Sequence, residues 1–396
     1  MSTAVMTPRL ELDSAADGSL KAAARIWFAV AVIGQLVFAF RTASFYGLTA
    51  LRGDYHGWRI SQGHVAGNTL GNSAVAVHLL SAVVIMLAGA VQLVPQVRSR
   101  FPVFHRWNGR MYLLAALGVS AAGVYMTWRG SVGDVSQHIG GSLNAVLIWL
   151  FAGMALRYAM ARDFKTHRRW ALRLFLVVSA AWFFRIAFFL TLFVFKGPIG
   201  FDATTFRGPF LTLMSFGQYL VPLGVLELYL RAQDRPGAFR RMATAAVLFV
   251  VTVGMAVGIF ALTMAAWAPE VKAAFDSRKS IAETLSLTIA SGGLDEAVKQ
   301  YRDLKAAAPA TYNFDEDELN GLGYRLIQGK KYKEAILIFR LNVEAYPQSS
   351  NVYDSLGEAY MDDGDKPRAI ANYQKSLELN PKNGNAALML QKLHEP

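Results

Sequence analysis

The chain has 396 residues, of which 54% are hydrophobic and 17% charged, with a formal net charge of +12. That is the composition of a membrane protein, and its basic excess sits in short loops, which points to topology and anionic lipid rather than nucleic acid. Cysteine is absent, which excludes disulfides, thiolate metal sites, iron–sulfur clusters and thiol catalysis.

Residues 1–24 read as a polar leader on the cytoplasmic side, with no evident cleavable signal. Seven apolar runs follow, at 25–46, 73–96, 108–128, 138–160, 170–195, 210–230 and 242–267. A hydrocarbon core of about 30 Å takes ~20 residues of helix, so each run is long enough to cross. A chain in lipid must satisfy its own backbone hydrogen bonds, so these runs are helices. The fold class expected is therefore all-α. A polytopic bundle of about seven transmembrane helices covers 25–267, a linker covers 268–280, and a soluble helical repeat domain covers 281–396.

Arginine and lysine set the orientation. Arg98 to Arg110, Arg157 to Arg173 and Arg231 to Arg241 crowd one set of loops. Those loops are expected in the cytoplasm, which puts the N-terminus inside and the repeats outside, in the periplasm of a bacterial inner membrane.

Four histidines fall in register. His78 and His138 lie about a turn inside the second and fourth runs, while His105 and His167 open the third and fifth. The second two helices thus repeat the first two roughly 60 residues later, in the same sense, without the inverted repeat of many transporters. Topology sorts the four into an outer pair, His78 with His138, and an inner pair, His105 with His167. Two neutral imidazoles are suitable axial ligands for a b-type haem. The competing reading keeps the inner motif at the interface, with Trp107 and Trp170 in the aromatic belt and Arg110 and Arg173 on lipid headgroups. On residue chemistry alone the outer pair is the stronger functional candidate, because a histidine within a helix has fewer innocent uses.

Arg185 lies well inside the fifth run and needs a partner there; an anionic ligand such as a haem propionate fits, and the alternatives are snorkelling or pairing with Asp134 or a backbone carbonyl. Glu227 is spaced to pair with Arg231, and Gln218, Tyr219 and Pro222 suggest a kinked, polar-lined sixth helix. His56 and His64, near Asp54, are read as a solvated loop. Zinc is disfavoured, since no carboxylate stands at ligand spacing beside the four histidines. There is no Walker loop, no His-Glu-x-x-His and no Gly-x-Ser-x-Gly, so no hydrolase or nucleotide-driven activity is expected.

The tail repeats at a spacing of 34 residues. Leu322-Gly323, Ala335, Phe339 and Pro347 match Leu356-Gly357, Ala369, Tyr373 and Pro381. This is the tetratricopeptide pattern of small residues where two helices touch and aromatics between them. Ala297, Tyr301 and Pro309 make a partial earlier copy, broken by about four extra residues near 311–318.

Three resemblances follow from these motifs. The tail resembles the repeat tails of many exported bacterial proteins, including hydrolases of the serine β-lactamase type, which implies an outside location and an unknown protein or peptide partner. The stretch from His78 through Gly89, Gln92-Leu93, Pro95, Arg98 and Arg100 to His105-Arg106-Trp107-Asn108-Gly109-Arg110, with His167-Arg168-Arg169-Trp170-Ala171-Leu172-Arg173, resembles a bacterial membrane family, domain of unknown function 2306, over about 70–235. That family implies no activity. The layout of the second to fifth helices resembles the cytochrome b561 group, which implies haem b on His78 with His138 and on His105 with His167. Transmembrane electron transfer is then the leading expectation, and the chain is at most an electron-transfer component of an oxidoreductase. A non-enzymatic anchor or assembly factor presenting the repeats is the rival. A small-molecule transporter or sensor using Arg185 is the third reading.

Overall fold

The computed structural model describes residues 8–53, 58, 67–129, 133–202, 206–235 and 237–394. The chain divides into two compact units, Met1–Phe275 and Asp276–Pro396. His56, His64 and Asp54 lie outside the described residues.

The first unit is helical. Helix α1 (Pro8–Thr42) runs through a π-helical turn, Ala43–Gly47, into α2 (Leu48–Arg52). Then come α3 (Thr69–Gln92), α4 (Pro95–Arg100), α5 (Pro102–Arg129), α6 (Val135–Met160), α7 (Phe164–Val178), α8 (Ala180–Phe195) and α9 (Pro209–Asp234). Helix α10 (Ala238–Leu262) passes through a second π-helical turn, Thr263–Trp267, into α11 (Ala268–Phe275). Polar side chains start the membrane helices. Asn68, Asp134 and Asp163 each cap a helix by accepting the amide three residues on, Gly71, Gln137 and Thr166, at 3.0, 3.0 and 3.1 Å. The amide of Thr166 holds the Asp163 carboxyl below the usual range.

Six helical stretches are long and apolar enough to cross a membrane, and α7 with α8 makes a seventh if counted as one bent span. The chain is thus a multi-pass membrane protein. Close packing uses missing side chains, as helix contacts in lipid require. A Cβ at Gly89 on α3 would stand 2.9 Å from the Tyr112 ring of α5, and one at Gly258 on α10 would stand 2.6 Å from the carbonyl of Ile186.

Three expectations change. The run 170–195 is not one helix: it breaks at Ser179, where α7 and α8 meet at 52°. The break persists in an apolar layer because polar side chains supply its hydrogen bonds. Gln35 Nε2 donates to Ser179 Oγ at 3.1 Å, and Asn144 Nδ2 donates to the Val177 carbonyl at 3.1 Å. The Ser179 carbonyl then takes the amides of Trp182 and Phe183, restarting the helix. Second, the described part of the 1–24 leader is continuous with α1, and 268–275 is helix α11 rather than linker. Third, Glu227 pairs with Arg173 of α7 instead of Arg231.

The second unit stacks helix pairs: α12 (Ile281–Gly292) with α13 (Leu294–Ala307), α14 (Glu316–Gln328) with α15 (Tyr332–Ala345), α16 (Ser350–Asp362) with α17 (Lys366–Leu379), and α18 (Gly384–His394) at the end. The glycines of the repeat explain themselves. A Cβ at Gly323 would overlap the Phe339 ring, and one at Gly357 would press on Tyr373 at 3.0 Å. The repeat extends to hydrogen bonds: Asn342 Nδ2 donates to the Glu316 carbonyl at 3.0 Å, and 34 residues on Ser376 Oγ donates to the Ser350 carbonyl at 2.8 Å. The extra residues that break the register are also placed. Strand β2 (Tyr312–Asn313) pairs in parallel with β1 (Lys279–Ser280), which tethers the start of α12.

Candidate functional site

Helix α3 runs from His78 towards Gln92, and α5 returns from His105, which lies 3.3 Å from Gln92. From His78 to Gln92 is 14 residues of helix, or ~21 Å. The histidines therefore mark opposite ends of the bundle.

At the His105 end, the side chains form a chain of amides. Asn108 Nδ2 donates to the Ala88 carbonyl at 2.9 Å and to Gln92 Oε1 at 2.8 Å. With its oxygen so engaged, Gln92 turns its amide nitrogen to His105 Nε2, which becomes the acceptor. The proton then sits on His105 Nδ1, which is buried and has no partner among the described residues. His167 is set differently. Its Nδ1 lies 2.8 Å from the Ala155 carbonyl and donates to it, so Nε2, which has no hydrogen-bond partner among the described residues, is the nitrogen left to ligate. A carbonyl on the other ring nitrogen is the usual support of a metal-binding imidazole. His105 and His167 both border a wide, open, mainly apolar space that runs along the bundle past Trp27, Phe175 and Phe183 to Leu190 and Leu213, with Arg98, Arg106, Arg110 and Arg168 also on its lining.

The other end is built otherwise. His78 Nδ1 is 3.3 Å from the Val119 carbonyl of α5, and a Cβ at Gly123 would sit 3.7 Å from the His78 ring. His138 faces Trp128, near the far end of α5, with ring centroids 5.4 Å apart. Val119 and Trp128 are nine residues apart, ~13 Å along the helix. The cavity that takes in His78 and Arg185 does not take in His138, and its volume is about 60 Å3. His105 and His167 thus border one common space, whereas His138 is not on the lining of the cavity beside His78.

Arg185 donates through Nη1 to the Ala181 carbonyl at 2.7 Å, one turn back, and its guanidinium lies 5.7 Å from the Phe38 ring. Arg41, which sequence reasoning passed over, lines the same cavity, pairs with Glu270 of α11 and stacks 4.9 Å from the Tyr46 ring. Gln35 is likewise a polar residue inside an apolar run, a signal that was available.

The two interface motifs keep one geometry in different surroundings. Arg110 lies 4.8 Å over Trp107, and Arg173 lies 4.9 Å over Trp170. Trp107 is 63% exposed. Trp170, expected at the lipid surface, instead packs half-buried against Phe151 at 5.3 Å, and Arg173, expected on a headgroup, reaches Glu227 at 2.7 Å. A carboxylate on α9 is the physical reason, since it draws the second motif inward.

Residues 75–208 match the family described as predicted membrane protein (DUF2306), and residues 350–383 match the tetratricopeptide repeat. No curated protein matches the chain. The chain is thus similar over residues 75–208 to that membrane family, and its tail carries a repeat of the kind that engages protein partners.

Proposed function

We propose that this chain is a bacterial inner-membrane protein whose membrane unit holds one b-type haem at the His105–His167 end for electron transfer. Its repeat unit, on the periplasmic side, docks an unknown partner protein or peptide. One observation supports the reading: His105 and His167 border the same apolar space, and the Ala155 carbonyl engages His167 Nδ1, which leaves Nε2 as the nitrogen to ligate.

The residues fit such a group on three counts. His167 is already held in the ligating tautomer by the Ala155 carbonyl. His105 carries an orphaned buried Nδ1 and lends Nε2 only to Gln92, which would have to release it. Arginines on the cavity lining suit propionates through paired hydrogen bonds. A bound haem would supply one-electron chemistry. The chain's own part is to orient the imidazoles, keep the walls apolar and place positive charge beside carboxylates. His138 is not on the lining of the small cavity beside His78, so this reading places a single haem, at the inner pair.

The test is a reduced-minus-oxidised spectrum of the full-length protein, purified in detergent from haem-replete cells. A sharp b-type α band that His167→Ala abolishes supports the reading, and a flat spectrum at full haem supply overturns it. The second reading, an anchor or assembly factor presenting the repeats, is favoured by the stacked helix pairs of the second unit. It predicts partner capture that His167→Ala leaves intact.

A further inference from the structure

The small cavity at the His78 end has no role in the function proposed above. Its lining is apolar on one side, with Leu79, Ile85 and Val178 among others. On the other side it gathers hydrogen-bond donors. Thr42 and Trp182 line it, are 2% and 1% exposed, and carry a hydroxyl Oγ1 and an indole Nε1 with no hydrogen-bond partner among the described residues. A buried donor left unpaired costs about 1–3 kcal/mol, so two at one cavity point to something that accepts from both. The guanidiniums of Arg41 and Arg185 line the same space. Arg41 is neutralised by Glu270, whereas among the described residues no carboxylate pairs with Arg185. An unneutralised arginine inside a membrane span is costly and is normally matched by a counter-charge.

The backbone is also distorted around this spot. Thr42 directly precedes the π-helical turn Ala43–Gly47, and Trp267, which ends the other π-helical turn, packs on Phe38 at 5.4 Å. Trp182 and Arg185 follow the break at Ser179. π-Helical turns inside helices gather at functional sites.

We propose that this cavity binds a small inorganic anion of the halide class, held by the Arg185 guanidinium, the Thr42 hydroxyl and the Trp182 indole N–H. Charge selects the class: one guanidinium without a carboxylate partner among the described residues, beside two neutral donors, matches a single negative charge, and chloride is its simplest probe. The site stands independently of haem.

The test uses the full-length protein in a non-ionic detergent, exchanged into gluconate buffer. Chloride replaces gluconate at constant ionic strength while the thermal midpoint is followed by tryptophan fluorescence and chloride binding by 35Cl line broadening. The expected result is a saturable rise in midpoint and saturable broadening. Both should weaken about tenfold in Thr42→Val and more in Arg185→Gln, as loss of a hydrogen bond to a charge implies. Thr42→Val is nearly isosteric and keeps the test alive if Arg185→Gln fails to fold. No saturable chloride effect, or the same effect in both variants, overturns the proposal. Tightly retained phospholipid without a chloride response also overturns it, in favour of a lipid phosphate.

Discussion

The hairpin of α3 and α5 and the hairpin of α6 with α7 and α8 carry histidines, tryptophans and arginines in matching places, yet they treat them differently. In the first, the Trp107–Arg110 pair faces outward, the returning helix is continuous, and His105 is capped by the Gln92 amide. In the second, the Trp170–Arg173 pair folds inward onto Phe151 and Glu227, the returning helix breaks at Ser179, and His167 Nε2 has no hydrogen-bond partner among the described residues. A shared motif therefore sets where a helix meets the interface. What the side chain does there depends on polar neighbours that the two hairpins do not share: Gln92 and Asn108 in the first, Asn144 and Glu227 beside the second.

The largest expected effect would break this comparison outright. His167→Ala should abolish the haem α band and His105→Ala should weaken it more than tenfold, whereas His138→Ala should leave it unchanged. Equal loss in all three would restore the symmetric two-haem arrangement. Next, Trp170→Ala should destabilise the protein by about 2 kcal/mol, since it removes a half-buried ring from the core. Trp107→Ala should cost under about 0.5 kcal/mol as a surface change. Thermal midpoints of the two variants in one detergent decide it, and equal costs would mean that the motifs are equivalent after all. Asn144→Leu should cost about 1–2 kcal/mol, by leaving the Val177 carbonyl short of a donor at the break; a neutral result would mean that the broken helix sustains itself.

The smallest effect lies in the repeat unit and serves as a control outside both hairpins. Burial pushes the Glu358 carboxyl up, although the Tyr324 hydroxyl donates to it at 2.9 Å. The folded chain then holds that proton more tightly than the unfolded chain. The stabilisation is complete below the ordinary glutamate range and is lost as pH rises through the raised value. In Glu358→Gln, denaturant unfolding of the repeat unit should lose that part of its slope with pH, while the membrane unit is unaffected.

Legibility in the sequence followed the physics of each region. Apolar runs of twenty residues leave little choice in lipid, so the helices of the membrane unit were readable, and the 34-residue spacing of Gly323 and Gly357 declared their aromatic partners. Ser179 was not readable as a break, because neither proline nor a glycine pair marks it. The hydrogen bonds that permit it come from Gln35, 144 residues away, and from Asn144. The histidines were legible as a repeat and in depth, but the space that each one borders was not. Spacing gives depth along each helix, whereas a shared cavity depends on rotation about the axis and on which neighbour fills the gap. Thr42 and Trp182 were invisible for a related reason, since a hydroxyl and an indole in an apolar run look like core until their donors prove to be unmet.

The bend at Ser179 has a mechanical consequence. Helices α7 and α8 contain 15 and 16 residues, or ~22 and ~24 Å of rise, and neither alone spans a core of about 30 Å. The two arms must enter and stay in the bilayer as one jointed piece. His167 rides on one arm and Arg185 on the other, so any rotation about the joint displaces the two ends of the bundle relative to each other. Gln35 and Asn144 are the pins of that lever.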